Sequence, residues 1–174
     1  MTQPNSLVRE GIISGLLGAA GVALWFLVVD IWVGEPFYTP RMLGEMVLSL
    51  FGRASADDTL ALHVGLYTVV HVAAFVLIGI IAATIVRVGE RESSVLAGAT
   101  ILFVVLQVLF YGLTALLAEP ELLGRLAWYQ VGIANLIAAA LMLAYLWRRH
   151  PSIGRRLSHS LSGGENPSRA GSQP

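Results

Sequence analysis

The chain has 174 residues, enough for one domain. Apolar residues make up 56% of it and charged residues only 13%, where a soluble domain carries about 25% charged; the deficit points to lipid as the solvent. Net charge is zero and cysteine is absent, which excludes disulfides, thiolate metal sites and cysteine nucleophiles and argues against a general nucleic-acid binder.

Four apolar segments follow one another along the chain: 11–33, 61–86, 95–117 and 126–147. Each reaches the ~20 residues that a helix needs to cross the hydrocarbon core. In lipid a backbone must satisfy its own hydrogen bonds, so the segments read as helices and the fold as all-α, a four-transmembrane-helix bundle. The first segment is not read as a cleaved signal: "MTQPNSLVRE" holds one cation, the apolar run exceeds a signal's, and no convincing small-x-small cleavage site follows. Gly11, Gly15, Ala19 and Ala23 form a ladder of small residues at spacing four, which lets membrane helices approach closely. Asp30 lies seven residues beyond Ala23, on much the same side, and so faces the bundle.

The loop after the first segment, 34–59, holds "TPRMLGEMVLSLFG", read as a short amphipathic helix. Thr39 suits its cap, Pro40 its first turn and Gly52 its stop. Leu43, Met46, Val47 and Leu50 share one face, which is expected on the membrane or over the mouth of the bundle.

The second segment carries His63, Tyr67 and His71 at spacing four, one slanted stripe. The third carries Thr100, Gln107, Tyr111 and Thr114 on one face, and the fourth Asn135 with Gln130 nearer its outer end. At about 1.5 Å per residue, Asp30 and His63 lie about one turn below the outer surface, His71 about three, and Gln107 and Asn135 near the middle. The inner half is nearly all apolar: Ile78, Ile80, Ile81 and Ile85, then Leu141, Leu143 and Leu146. These placements predict a polar pocket that opens outward and is closed inward, formed by Asp30, His63, Tyr67, His71, Gln107, Tyr111 and Asn135. An aspartate at the centre of a membrane costs roughly 2.5–3.5 kcal/mol, less near the interface, so Asp30 needs a partner. By depth the first candidate is His63, then His71.

Arginine placement sets the orientation. With the N-terminus in the cytoplasm, the inner side holds Arg9, Arg87, Arg91, Arg148, Arg149, Arg155, Arg156 and Arg169, and the outer side only Arg41, Arg53 and Arg125. Both termini are therefore expected in the cytoplasm, with residues 1–150 as the transmembrane domain. The sequence after Trp147 is rich in Ser, Gly and Pro, and 151–174 is expected to be a disordered tail.

Most catalytic signatures are missing. Of the four histidines two fall in the tail, too few for the clustered boxes of a membrane diiron enzyme. His63 and His71 lie about 12 Å apart along one helix, too far to share a zinc ion easily and on one side only of any haem. There is no H-E-x-x-H, no G-x-S-x-G and no phosphate-binding glycine loop.

The runs "ALWFLVVDIWVGEPFYTPRMLGEMV", "LYTVVHVAAFVLIGI" and "ANLIAAALMLAYLWRRHP" together resemble a group of uncharacterised small bacterial membrane proteins with four helices. The resemblance covers most of 15–151. It implies a bacterial inner-membrane location and transfers no activity, cofactor or site. The functional expectation is non-catalytic: binding or passage of a small solute or ion in the outward pocket, as a homo-oligomer or within a larger membrane complex. The rival expectations are a structural or accessory subunit and a haem- or metal-binding redox protein.

Overall fold

The computed structural model describes residues 4–52, 59–89 and 128–151. They form four helices: α1 Pro4–Val33, α2 Tyr38–Leu50, α3 Leu60–Gly89 and α4 Trp128–Arg149. Among the described residues there is no strand. Three of the helices, α1, α3 and α4, are long and apolar enough to cross a membrane. The expected segment 95–117, with Gln107 and Tyr111, lies outside the described residues, and so does the tail from 152.

The helices overrun the apolar segments at their charged ends. α1 starts at Pro4, whose missing N–H costs nothing in a first turn, and runs through Arg9 and Glu10. α3 continues to Gly89, and α4 to Arg149, past the Trp147 boundary read from the sequence. Hydropathy marks which residues suit lipid, whereas the hydrogen-bond ladder continues until a cap or a breaker ends it.

α1 is the central helix. It packs along both α3 and α4, while α3 and α4 scarcely touch. Glu10, near the start of α1, meets Arg87 at the end of α3 and His150 just beyond α4. α1 is thus antiparallel to both, and α3 and α4 run the same way.

Small residues make these contacts close. A Cβ on Gly15 would stand 2.3 Å from the Phe75 carbonyl oxygen, and one on Gly79 would stand 2.2 Å from that of Gly11. The backbones of α1 and α3 are therefore in direct contact where Gly11 and Gly15 cross Gly79. Of the expected ladder, Gly11, Gly15 and Ala19 are buried and Ala23 is exposed. A second row, not read from the sequence, faces α4: Gly18 lies against Met142, and Gly21 against Leu141 and Ile137. Val22 and Phe26 of α1 pack with Ala134 and Ala138 of α4. Nearer the Glu10 end, Ala83 and Val86 of α3 pack with Leu146 of α4.

The Glu10 end is tied by polar contacts. Glu10 Oε2 lies 3.5 Å from an Arg87 nitrogen and 3.1 Å from His150 Nε2, and Arg87 also donates to the Ser6 hydroxyl. His150, at the boundary between the expected domain and tail, joins the end of α4 to α1. These side chains retain 11–20% exposure, so the cluster falls between a surface pair and a fully buried one. Glu10→Gln is expected to lower stability by about 1–2 kcal/mol, read as a shift in the detergent-unfolding midpoint. An unchanged midpoint would show that the apolar packing alone holds this end.

Candidate functional site

The opposite end is organised by Asp30. The turn that closes α1 has Gly34 at φ +84, with Gly34 N–H donating to the Ile31 carbonyl and Glu35 N–H to the Asp30 carbonyl, both at 3.0 Å. This pair of bonds is the Schellman stop, in which glycine takes the left-handed position that ends the helix. Three residues later α2 begins. Its N-cap position is Phe37, which offers no side-chain cap. The cap comes from α1: Thr39 N–H donates to Asp30 Oδ2 at 2.9 Å, and the Thr39 hydroxyl donates to Asp30 Oδ1 at 2.7 Å.

This answers how a carboxylate is accommodated at that depth. Asp30 is 4% exposed and Thr39 3%. A carboxylate accepts only, both contacts are donated to it, and it lies at the positive end of the α2 dipole. Depth made His63 the first candidate partner; the hydrogen bonds of the Asp30 carboxylate run to Thr39. Thr39, expected to cap α2 with its own side chain, sits inside the first turn and is itself capped.

Phe37 adopts φ 68, ψ 17. A bulky residue in this left-handed region costs about 1–3 kcal/mol and persists only where its surroundings fix it. Here Pro36 precedes it, and the Asp30–Thr39 pair holds the turn that follows.

Two clefts adjoin Asp30. One, of about 170 Å³, is lined by Val29, Asp30 and Val33 of α1, Glu35, Tyr38 and Thr39 of the corner, and Gln130 of α4. The Gln130 amide oxygen is buried there without a hydrogen-bond partner among the described residues. The other, of about 180 Å³, lies between α1, α2 and α3. Ala23, Leu24, Phe26 and Leu27 form its α1 wall, Phe37 and Pro40 the α2 wall, and Val64, Tyr67 and Thr68 the α3 wall; Asp30 and Thr39 close one end. Met46 and Phe51 of α2 are exposed, while Leu43 and Val47 are half-buried.

Of the expected pocket residues, Asp30 and Tyr67 line the same cleft, with His71 behind Tyr67. Asp30 lines both clefts and Tyr67 one. Tyr67 reaches His71 at 3.2 Å from the hydroxyl to Nδ1, and His71 Nε2 lies 3.2 Å from the Ala19 carbonyl oxygen. A carbonyl only accepts, so Nε2 carries the proton; in the neutral ring Nδ1 then accepts from the Tyr67 hydroxyl. The imidazole also stacks on Tyr67 and tilts against Phe75, at centroid distances of 5.1 and 4.8 Å. His71 therefore pins α3 to the backbone of α1 and supports Tyr67 from behind. His63 is buried where α3 meets α2: a Cβ on Gly44 would lie 2.1 Å from the His63 carbonyl oxygen. Asn135 is half-buried on α4 and lines neither cleft. Gln107 and Tyr111 fall outside the described residues. The sequence reading missed Thr39 as the partner of Asp30, and missed Phe37 and Thr68 as cleft walls. The signal for Thr39 was its position after two chain breakers, Gly34 and Pro36, which fold the chain back toward the end of α1.

Among the described residues no three His, Cys, Asp or Glu side chains gather closely enough to hold a metal ion. Comparison with protein-family models, with curated proteins and with solved structures finds no match.

Proposed function

We propose that the protein is a multi-pass bacterial inner-membrane protein with four spans and both termini cytoplasmic, which binds or passes a small solute or ion at its periplasmic end without catalysing a reaction. Three observations support the membrane part. The long helices present large apolar side chains outward, among them Val28, Val69, Leu77 and Leu136. Trp32 and Tyr129 are exposed at the Asp30 end and Trp147 at the Glu10 end, the positions of aromatic belts at two interfaces. Among the described residues Arg9, Arg87, Arg148 and Arg149 occupy the Glu10 end and Arg41 the other, a bias that supports a cytoplasmic Glu10 end. Segment 95–117 would then supply the return crossing between α3 and α4.

The observation that carries the functional part is a buried carboxylate shared by two clefts beside an interfacial helix. Because the chain has no cysteine, single cysteines test this cleanly in whole cells. Thr68→Cys, in the cleft wall, is expected to react with a membrane-impermeant maleimide added from the periplasm, whereas Leu77→Cys, on the outward apolar surface of α3, is not. An unreactive Thr68→Cys would remove the outward opening.

One observation favours a second reading, an accessory or scaffolding subunit. The Asp30–Thr39 bonds satisfy the carboxylate by themselves, and a structural cap requires no ligand. In that case Asp30→Asn and Ala23→Leu would change abundance or assembly and nothing else. A redox reading is decided by the optical spectrum and metal content of the purified protein.

A further inference from the structure

Resting on that cleft reading, we propose that the cleft between α1, α2 and α3 takes a small organic monocation: an amine carried on a single apolar or aromatic group. The charge is the first argument. Asp30 closes one end of the cleft and is compensated by Thr39 and the start of α2. Arg87 and His150 are engaged by Glu10 at the far end. A cation near Asp30 would thus meet a buried carboxylate, while an anion would be repelled.

The walls supply the second argument. Phe26, Phe37 and Tyr67 surround the space with Leu24 and Val64. Aromatic faces attract ammonium groups and also accept apolar bodies. A hard metal ion wants six or more oxygens, which these walls lack, and a sugar would leave most of its hydroxyls unpaired. Size is the third argument. A cavity of about 150 Å³ accepts benzene, and this cleft measures about 180 Å³, so one ring with an aminomethyl arm matches it. The strained backbone of Phe37 adds weight, because it holds one of these rings at the cleft against its conformational preference.

The test compares benzylamine with benzyl alcohol, alike in shape and different in charge, by calorimetric titration of the full chain in lipid nanodiscs, with empty discs subtracted. The amine is expected to bind at least about tenfold more tightly. Asp30→Asn should erase the difference while keeping an amide oxygen for Thr39 to donate to. Should that variant fail to fold, Thr68→Arg makes the same point from the exposed side of the cleft, losing the amine and keeping the alcohol. Ala23→Leu should weaken both ligands. Equal binding of amine and alcohol to the unaltered protein, with Ala23→Leu weakening both, overturns the cation proposal and leaves the cleft reading standing. No binding of either, or binding indifferent to Ala23→Leu, overturns the cleft reading and this proposal with it.

Discussion

Gly79→Leu is expected to cost at least about 3 kcal/mol and to deplete the protein from the membrane. Overpacking a side-chain core typically costs about 1–3 kcal/mol because side chains can shift to make room. At Gly79 the obstacle is backbone: a Cβ would stand 2.2 Å from the Gly11 carbonyl oxygen and 2.5 Å from the Gly15 nitrogen. Relief requires α1 and α3 to move apart, and the contacts on either side of the crossing go with them. In lipid these contacts are the driving force for association, since acyl chains are as apolar as the helices. Gly15→Leu should act alike, its Cβ lying 2.3 Å from the Phe75 carbonyl oxygen. Gly65→Ala is the control, because among the described residues nothing lies within 4 Å of its added Cβ; it should be no less stable than the parent, with a gain of up to about 1 kcal/mol from helix propensity. The measurement is unfolding by a denaturing detergent from mixed micelles. A Gly79→Leu protein as stable as Gly65→Ala would show that the α1–α3 crossing is dispensable.

The second large effect belongs to Asp30 and Thr39. Asp30→Ala strands the Thr39 N–H and hydroxyl in a buried site, at about 1–3 kcal/mol. Thr39→Val removes the hydroxyl bond only and should cost less. The two changes share one interaction, so the double variant should fall short of the sum by about 0.5–3 kcal/mol. Hydrogen exchange gives a local reading: amides of α2 from Tyr38 to Gly44 should lose protection in Asp30→Ala while those at the middle of α3 keep theirs. Uniform loss along the chain would mean that Asp30 supports the whole bundle rather than the α1–α2 corner.

The sequence made some of this legible and hid the rest for physical reasons. The long helices were readable from their unbroken apolar length, and α1, α3 and α4 match three of the four segments. The α2 helix was readable from its single apolar face and its Gly52 stop, although its N-cap is Phe37 and not Thr39. The Gly11–Gly15 contact followed from a spacing that stacks small residues on one side of a helix. Asp30 was correctly seen to need a partner, yet depth along a helix says nothing about direction around it. The chain reversal at Gly34 and Pro36 brought Thr39 to the carboxylate, a partner that depth alone does not reveal. The Glu10, Arg87 and His150 cluster was hidden because charged residues at the end of an apolar run look like lipid flanks. The Gly18 and Gly21 contacts with α4 were visible in principle, as a second small-residue row on α1, overlooked beside the first.

The central position of α1 has a consequence for biogenesis. The helix synthesised first is the one against which both later long helices are held, and its two seams fill at different times. For helices inserted in chain order, the glycines that receive α3 would be covered first, and those that receive Met142 and Leu141 would meet α4 only when nearly all of the protein has left the ribosome. A chain stopped before α4 would lack the partner of that second seam, which any other helix with a matching surface could then take.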